Sequence, residues 1–300
     1  MPSINEIKEQ KVVVHSVGEF AHSLQQIAAA RMAKLRKVVM SSRRFVDEAT
    51  TVLLELQLEK QKRMEKDLYG DAPKGKKKQK KSEAATKKAE RTAIIVISTD
   101  QGLCGSYNTE IFAKVDQVLP EHQDADWFVI GSKGQDYFYR LEQRNKIRFF
   151  PFKMPEQPTI VDLKPLIGMF FYYTQIFMIY SKFINTATRE VVFLELVIPN
   201  IAEVEAKKEL EGGKYIFEPN IDELIRSLSS KLRYALFRQQ ILDSRLSLYT
   251  AQMLAMKTAA DNSEDLLKEL QLQYNKARRK VIDKKIQEVQ AGRSLWEDEA

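Results

Sequence analysis

A single cysteine, three histidines and one glycine-rich turn are the parts of this 300-residue chain with which chemistry could be done. Cys104 sits inside the turn Gly102-Leu103-Cys104-Gly105. A cysteine nucleophile needs a depressed thiol pKa and a neighbouring base, and no histidine lies within ten residues of Cys104 in sequence. A small turn cysteine is the better reading. A strand, a glycine turn and a helix N-terminus in succession can hold a phosphate on backbone amides. This turn lacks a Gly-Lys-Ser/Thr ending, and its Gly-x-x-Gly spacing is shorter than either standard nucleotide fingerprint. Gly102 and Gly105 therefore read as a tight structural turn. His15, His22 and His122 are scattered, and no Cys/His cluster has metal-ligand spacing. The sequence implies no catalytic constellation, no metal and no cofactor. One cysteine also excludes an internal disulfide and suits a reducing compartment.

The elements around that turn are of two kinds. From Pro219 to Gly292 the chain contains no other glycine or proline, and its apolar residues recur every seven positions. One line runs Ile225, Leu232, Gln239, Leu246, Met253, Ala260, Leu267, Tyr274 and Val281. The other runs Leu228, Ala235, Leu242, Tyr249, Met256, Ser263, Leu270, Ala277 and Lys284. Alternating steps of three and four are the spacing of a coiled-coil seam, broken here at Gln239, Ser263 and Lys284. At 1.5 Å per residue such a helix is on the order of 100 Å long, so much of it must project from any small domain. Asn220 and Glu223 form a capping signature at its start, and Gly292 marks the expected stop.

The partner stripe lies at the other end of the chain. Ser3 with Glu6 is a second capping box. Beyond it Ile7, Val14, Ala21, Ala28, Leu35, Ala49 and Leu56 hold one heptad line, and Val17, Leu24, Val38, Phe45 and Val52 hold the second. Gly18, Arg31 and Ser42 interrupt the repeat, which predicts local irregularity there. Both stripes could be ordinary core faces of a bundle. An antiparallel hairpin of the two termini, with everything else inserted between them, is the simpler explanation.

Between the termini the pattern changes to short β-branched runs. Strands are predicted at 93–97, 127–130, 146–150, 176–180 and 191–197, and helices at 108–119, 135–143 and 160–173. Alternating strands and helices argue for a small α/β domain with a largely parallel sheet. The fold class is thus α/β: a long antiparallel coiled coil of the N- and C-terminal helices with an inserted small, Rossmann-like α/β domain. The expected divisions are a helix at 1–68, a basic linker or insertion at 69–92, the α/β domain at 93–214, a second helix at 215–292 and an acidic tail at 293–300.

Charge is concentrated in the linker. Residues 74–91 hold nine basic and two acidic side chains, which account for the whole net charge of +7. Three readings are open: a solvated linker, a segment touching anionic headgroups or an acidic neighbouring subunit, and a nucleic-acid arm. The last is weakened by the absence of interleaved aromatic residues for base stacking. No uninterrupted run of eighteen apolar residues exists, so no membrane span is expected. The start, Met-Pro-Ser-Ile-Asn-Glu, lacks the regions of a secretory signal.

The motifs Ser98-Thr-Asp-Gln-Gly-Leu-Cys-Gly-Ser-Tyr-Asn-Thr109, Ala255-Met-Lys-Thr-Ala-Ala-Asp-Asn262 and Leu272-Gln-Tyr-Asn-Lys-Ala-Arg278 resemble those of the gamma subunit of F-type ATP synthase. Gly131-Ser-Lys-Gly134 and Tyr215-Ile-Phe-Glu-Pro219 look like further family signatures, and together these motifs span nearly the whole chain. The resemblance implies a non-catalytic central-stalk rotor subunit of a proton-translocating enzyme, coupling rotation of a membrane ring to ATP synthesis or hydrolysis at beta subunits. Its implied partners are the alpha and beta subunits, the epsilon subunit and a proteolipid c-ring, with no nucleic acid. Its implied place is the cytoplasmic side of a bacterial cell membrane, held peripherally.

The chain departs from the family at several positions. Arg278-Arg279 and Ile282-Asp283 stand where the family has Arg-Gln and Ile-Thr. Ser247-Leu-Tyr-Thr-Ala-Gln252-Met253 replaces Ser-Glu-His-x-x-Arg-Met, and Glu19-Phe-Ala-His-Ser-Leu24 replaces Lys-Ile-Thr-x-Ala-Met. By resemblance, the beta-subunit contact falls to Arg278, Arg279, Asp283 and Leu24. The alternatives are the shaft of a specialised F1-like ATPase and a coiled-coil adaptor without an ATPase ring.

Overall fold

In the computed structural model, residues 3–69, 91–145, 147–170, 172–196 and 220–297 are described. The basic run up to residue 90, the Tyr215-Ile-Phe-Glu-Pro219 motif and residues 298–300 of the tail lie outside them. Helix α1 spans Ile4–Tyr69 and helix α5 spans Ile221–Glu297. The chain forms two compact units, one of Met1–Arg31 with Ala251–Ala300 and one of Met32–Thr250.

In the first unit α1 and α5 run antiparallel. Ser3 closes the expected capping box, its Oγ accepting from the Glu6 amide at 3.2 Å while Glu6 accepts from the Ser3 amide at 2.9 Å. Ile7, Ala21 and Ala28 bury against the α5 side of the seam, where Met256, Ser263 and Leu270 are also buried. Gly18 lies beside Ser263: a Cβ there would stand 3.1 Å from the Ser263 Cβ. The glycine permits close approach, and α1 runs through Gly18, Arg31 and Ser42 without a break.

The expected second line on α1 is not the buried one. Val17 is 52% exposed and Phe45 56%, whereas Val39 and Leu53 are fully buried and Val46 nearly so. The seam steps four residues on from the Ile7 line, along Lys11, Gly18, Gln25, Met32, Val39, Val46 and Leu53. Its first three members are not apolar, which hides the line from a hydrophobicity count and lets the outward valines mimic it. On α5 both expected lines face inward as far as Ala277. Helix α5 also passes through Gly292, the expected stop, to reach Glu297. A glycine costs a helix interior about 1 kcal/mol but ends it only when it adopts a left-handed conformation.

The second unit holds 32–69 of α1, 221–250 of α5 and a five-stranded sheet. Its elements are β1 (Thr92–Ile97), α2 (Tyr107–Val118), β2 (Asp126–Ile130), α3 (Ser132–Asn145), β3 (Phe149–Phe152), α4 (Ile160–Phe170), β4 (Gln175–Phe183) and β5 (Arg189–Glu195). The strand order is β3-β2-β1-β4-β5, parallel except for β5, which pairs antiparallel with β4. Strand β3 starts later than predicted, because the aromatic residues that pair with β2 are Phe149 to Phe152 rather than the charged residues before them. One sheet face, carrying Ile95, Phe128 and Met178, packs on Leu163, Leu166 and Ile167 of α4 and on Phe237 and Ile241 of α5. Trp127 points the other way and meets Phe138 of α3, ring centroids 5.4 Å apart.

Within this unit α1 and α5 also pack on each other. Leu35 and Val39 pack on Leu242 and Leu246, with Phe183 of β4 in the same cluster. Further along, Val46, Ala49 and Leu53 pack on Leu232. Fully burying side chains of this size is worth about 1.5–3 kcal/mol each. Asn220 caps α5, its Oδ1 accepting from the Asp222 amide at 3.0 Å.

Candidate functional site

In a doubly wound sheet a ligand sits outside the carboxyl ends of the strands, where the strand order reverses. Here that point lies between β1 and β4, and the Gly102 turn follows β1. The nearby amide donors already have partners. The Gly134 amide donates to Ser98 Oγ at 2.9 Å and the Ser132 amide to Asp100 Oδ1 at 3.1 Å. The N-terminus of α3, which could have held an anion, is thereby filled by side chains of the loop after β1.

The crevice itself holds α5. Ser181 of β4 bonds Ser247 at 2.7 Å, and Tyr107 at the start of α2 bonds Ser244 Oγ at 2.7 Å. Asp100, in the loop after β1, lies 3.5 Å from the Arg245 guanidinium. Burial raises the Tyr107 hydroxyl to about 12, so it stays protonated as a hydrogen-bonding anchor. Cys104 is 3% exposed, and burial raises its thiol, the opposite of what nucleophilic attack needs. Asn108 donates to its Sγ at 3.5 Å.

The two turn glycines differ. Gly105 has φ +58°, the left-handed region, whereas Gly102 does not, and a Cβ on Gly102 would meet nothing within 4 Å. Leu103 takes the strained conformation instead, at φ +62° and 58% exposed. The more constrained glycine lies elsewhere: Gly131 has φ +100°, and a Cβ there would stand 2.6 Å from the Ser98 carbonyl oxygen.

The residues assigned by resemblance to partner contact all lie in the first unit. Leu24 is half-buried on α1, and Arg278, Arg279 and Asp283 are exposed on α5. None of these three makes an ion pair with a described residue. Arg278 begins a stretch in which every residue to Gln290 is exposed. Just before it, Lys8 and Lys11 in the first turns of α1 lie 5.9 and 5.7 Å from the Tyr274 ring.

That stretch is not polar. Ile282 is 43%, Ile286 51% and Val289 72% exposed, with Val281 beside them. Their steps of four and three form a seam with nothing against it. Two features escaped the sequence reading. One is this bare stripe, whose signal was a set of apolar residues at steps of four and three lying off both heptad lines. The other is the buried polar run Asp243, Ser244, Arg245 and Ser247, which looks in sequence like a solvated helix face.

Fold and site define a class: paired terminal helices with an inserted doubly wound sheet whose ligand crevice is filled by the chain's own helix. A family profile described as ATP synthase matches residues 3–294. The chain is 26% identical over 306 residues to the ATP synthase gamma chain of Psychrobacter arcticus, covering 97% of this chain and 98% of that one. It is 29% identical over 318 residues to the ATP synthase gamma chain of Enterococcus hirae, covering 98% and 99%. Among solved structures, the central stalk and c-ring of Tetrahymena thermophila mitochondrial ATP synthase includes a chain similar at a TM-score of 0.55 and 18% identity, covering 80% of this chain and 99% of that one. A chain of the Euglena gracilis mitochondrial enzyme gives a TM-score of 0.52 at 14% identity, covering 89% and 95%. The chain belongs to the ATP synthase gamma-chain family.

Proposed function

We propose that this chain is the central-stalk rotor subunit of a proton-translocating F-type ATP synthase, coupling rotation of a membrane ring to ATP synthesis or hydrolysis on other subunits. The observation that carries the reading is the exposed stretch of α5 from Arg278 to Gln290. Over those thirteen residues it extends about 20 Å at 1.5 Å per residue. A lone helix of this length is marginal in water, and an exposed stripe of Ile282, Ile286 and Val289 makes isolation costly. A sleeve of other subunits around it removes both penalties. A ring of alternating alpha and beta subunits supplies that sleeve, with Arg278, Arg279, Asp283 and Leu24 meeting the beta subunits.

The chain itself is non-catalytic. Its sheet crevice is filled by α5 and its cysteine is buried, which supports leaving ATP chemistry to the beta subunits. A rod carrying different side chains on its different sides binds surrounding sites unequally and so biases their conformations in turn. The epsilon subunit and the proteolipid c-ring complete the partners through the α/β domain. No helix among the described residues is long and apolar enough to cross a membrane. Attachment in this reading is peripheral and through the complex, on the cytoplasmic side of a bacterial cell membrane.

A tagged pull-down from the native host's membranes, with subunit identification and an ATPase assay, tests this. Recovery of alpha and beta homologues, epsilon and a proteolipid ring is expected. Recovery of the chain with no ATPase subunit would overturn the reading.

A further inference from the structure

Helix α5 is buried on every side from residue 241 to residue 250, with Asp243, Ser244, Arg245, Ser247 and Thr250 among its buried positions. Apolar burial alone resists separation of two surfaces but is non-directional, so it resists sliding weakly. Hydrogen bonds and charge pairs hold particular distances and angles. Here they reach the domain in several directions. Arg43 of α1 donates from Nη2 to Asp243 Oδ1 at 2.8 Å and to the Phe183 carbonyl oxygen at 2.9 Å. One guanidinium thus ties α1, α5 and the end of β4 together. Ser247 meets Ser181 on β4, Ser244 meets Tyr107 on α2, and Tyr249 donates to the Glu156 carboxylate before α4.

We propose that this polar joint is a torsional lock, in which Arg43, Asp243 and Ser247 are positioning residues that hold the α/β domain at one angle on the helix pair. Twist applied to the domain then passes into α1 and α5 instead of being lost between them. The proposal rests on the central-stalk reading. It accounts for a feature that stability does not: Asp243 is 3% exposed, and its burial holds the carboxyl above the usual range despite the lowering effect of Arg43. A buried pair of that kind is often no better for stability than apolar packing, and its retention fits a role in specifying geometry. Tyr249 also stands where the resemblance places a histidine, and Glu156 supplies its partner from the domain.

The test uses the whole ATP synthase complex in sealed vesicles. Arg43→Met with Asp243→Leu replaces the pair by apolar groups of similar volume, a change that commonly leaves the fold as stable or more so. Ser181→Ala with Ser247→Ala is a milder variant that removes both hydroxyls and orphans neither. ATP hydrolysis, ATP-driven proton uptake and the angular spread of a probe on the domain of immobilised complexes are measured for each. The expected result is unchanged subunit composition and hydrolysis, a severalfold fall in proton uptake per ATP against a gradient, and a wider angular spread. Arg43→Lys, which keeps the charge but not the planar fork, falls between parent and double variant. Parental uptake ratio and spread in both variants would overturn the lock, as would hydrolysis and uptake falling in equal proportion. A parent complex lacking alpha and beta subunits would instead refute the central-stalk reading, before any variant is made.

Discussion

Arg278 and Arg279 are neighbours on an exposed helix surface, and neither contributes an ion pair among the described residues. Replacing both with alanine therefore leaves the chain's own stability within about 0.5 kcal/mol. Coupled ATP turnover of the complex is expected to fall severalfold, with the amount of assembled complex unchanged; normal turnover would remove these side chains from the mechanism. The glycines give a sharper contrast. Gly131→Ala forces a side chain into φ +100° and against the Ser98 carbonyl, costing about 1–3 kcal/mol. Gly102→Ala meets open space and is expected to shift the urea midpoint hardly at all. An equal loss in both variants would contradict the distinction.

Acid sensitivity also belongs to single residues. Burial raises the Glu110 carboxyl, but hydrogen bonds from Arg189 and Ser106 with the Arg189 charge outweigh it and leave the group below its usual range. A carboxylate depressed in the folded state stabilises above its unfolded pKa, and that contribution is lost as pH falls through the folded value. Parent and Arg189→Ala are therefore expected to differ in urea midpoint at neutral pH and to converge in acid. A gap that stays constant with pH would contradict this. Residue-level features of this kind were partly legible in sequence: the tight turn around Cys104 was, whereas Gly102 and Gly131 could not be ranked without backbone angles.

Elements were read best where apolar residues marked both lines of the seam. Helix α5 shows this, its buried positions following the two heptads down to Ala277. Helix α1 shows the opposite, since Lys11, Gly18 and Gln25 occupy the true second line while Val17 and Phe45 face outward. Periodicity reports hydrophobicity rather than contact, and an outward face destined for another protein is hydrophobic too. The same reasoning sets the prediction for the end of α5. Serine at Ile282, Ile286 and Val289 is expected to leave the melting temperature of the purified chain unchanged, because these side chains have nothing to lose. Recovery of alpha and beta subunits in a pull-down is expected to fall severalfold. By contrast, Leu53→Ala, at a fully buried position, costs the chain itself about 2–5 kcal/mol. The two readouts separate a surface that needs a sleeve from a core that does not.

At the scale of the molecule, the arrangement of strands and helices was legible because β-branched runs and glycine turns alternate regularly. Less visible was that α5 contributes to both compact units. Ser244 and Ser247 lie on turns that composition assigns to solvent, yet they meet Tyr107 and Ser181 in the crevice where a sheet of this order ordinarily holds a ligand. The chain's own helix stands where such a sheet would otherwise hold a ligand.

Rotation itself is the most direct test of the central claim. The complex is immobilised through its beta subunits, a bead is attached to the α/β domain at a cysteine introduced at Tyr172, which is 78% exposed, and ATP is added. Sustained rotation of the bead in one direction, ceasing when ATP is exhausted, is the predicted result. A complex that hydrolyses ATP while the bead only fluctuates about a fixed angle would contradict it.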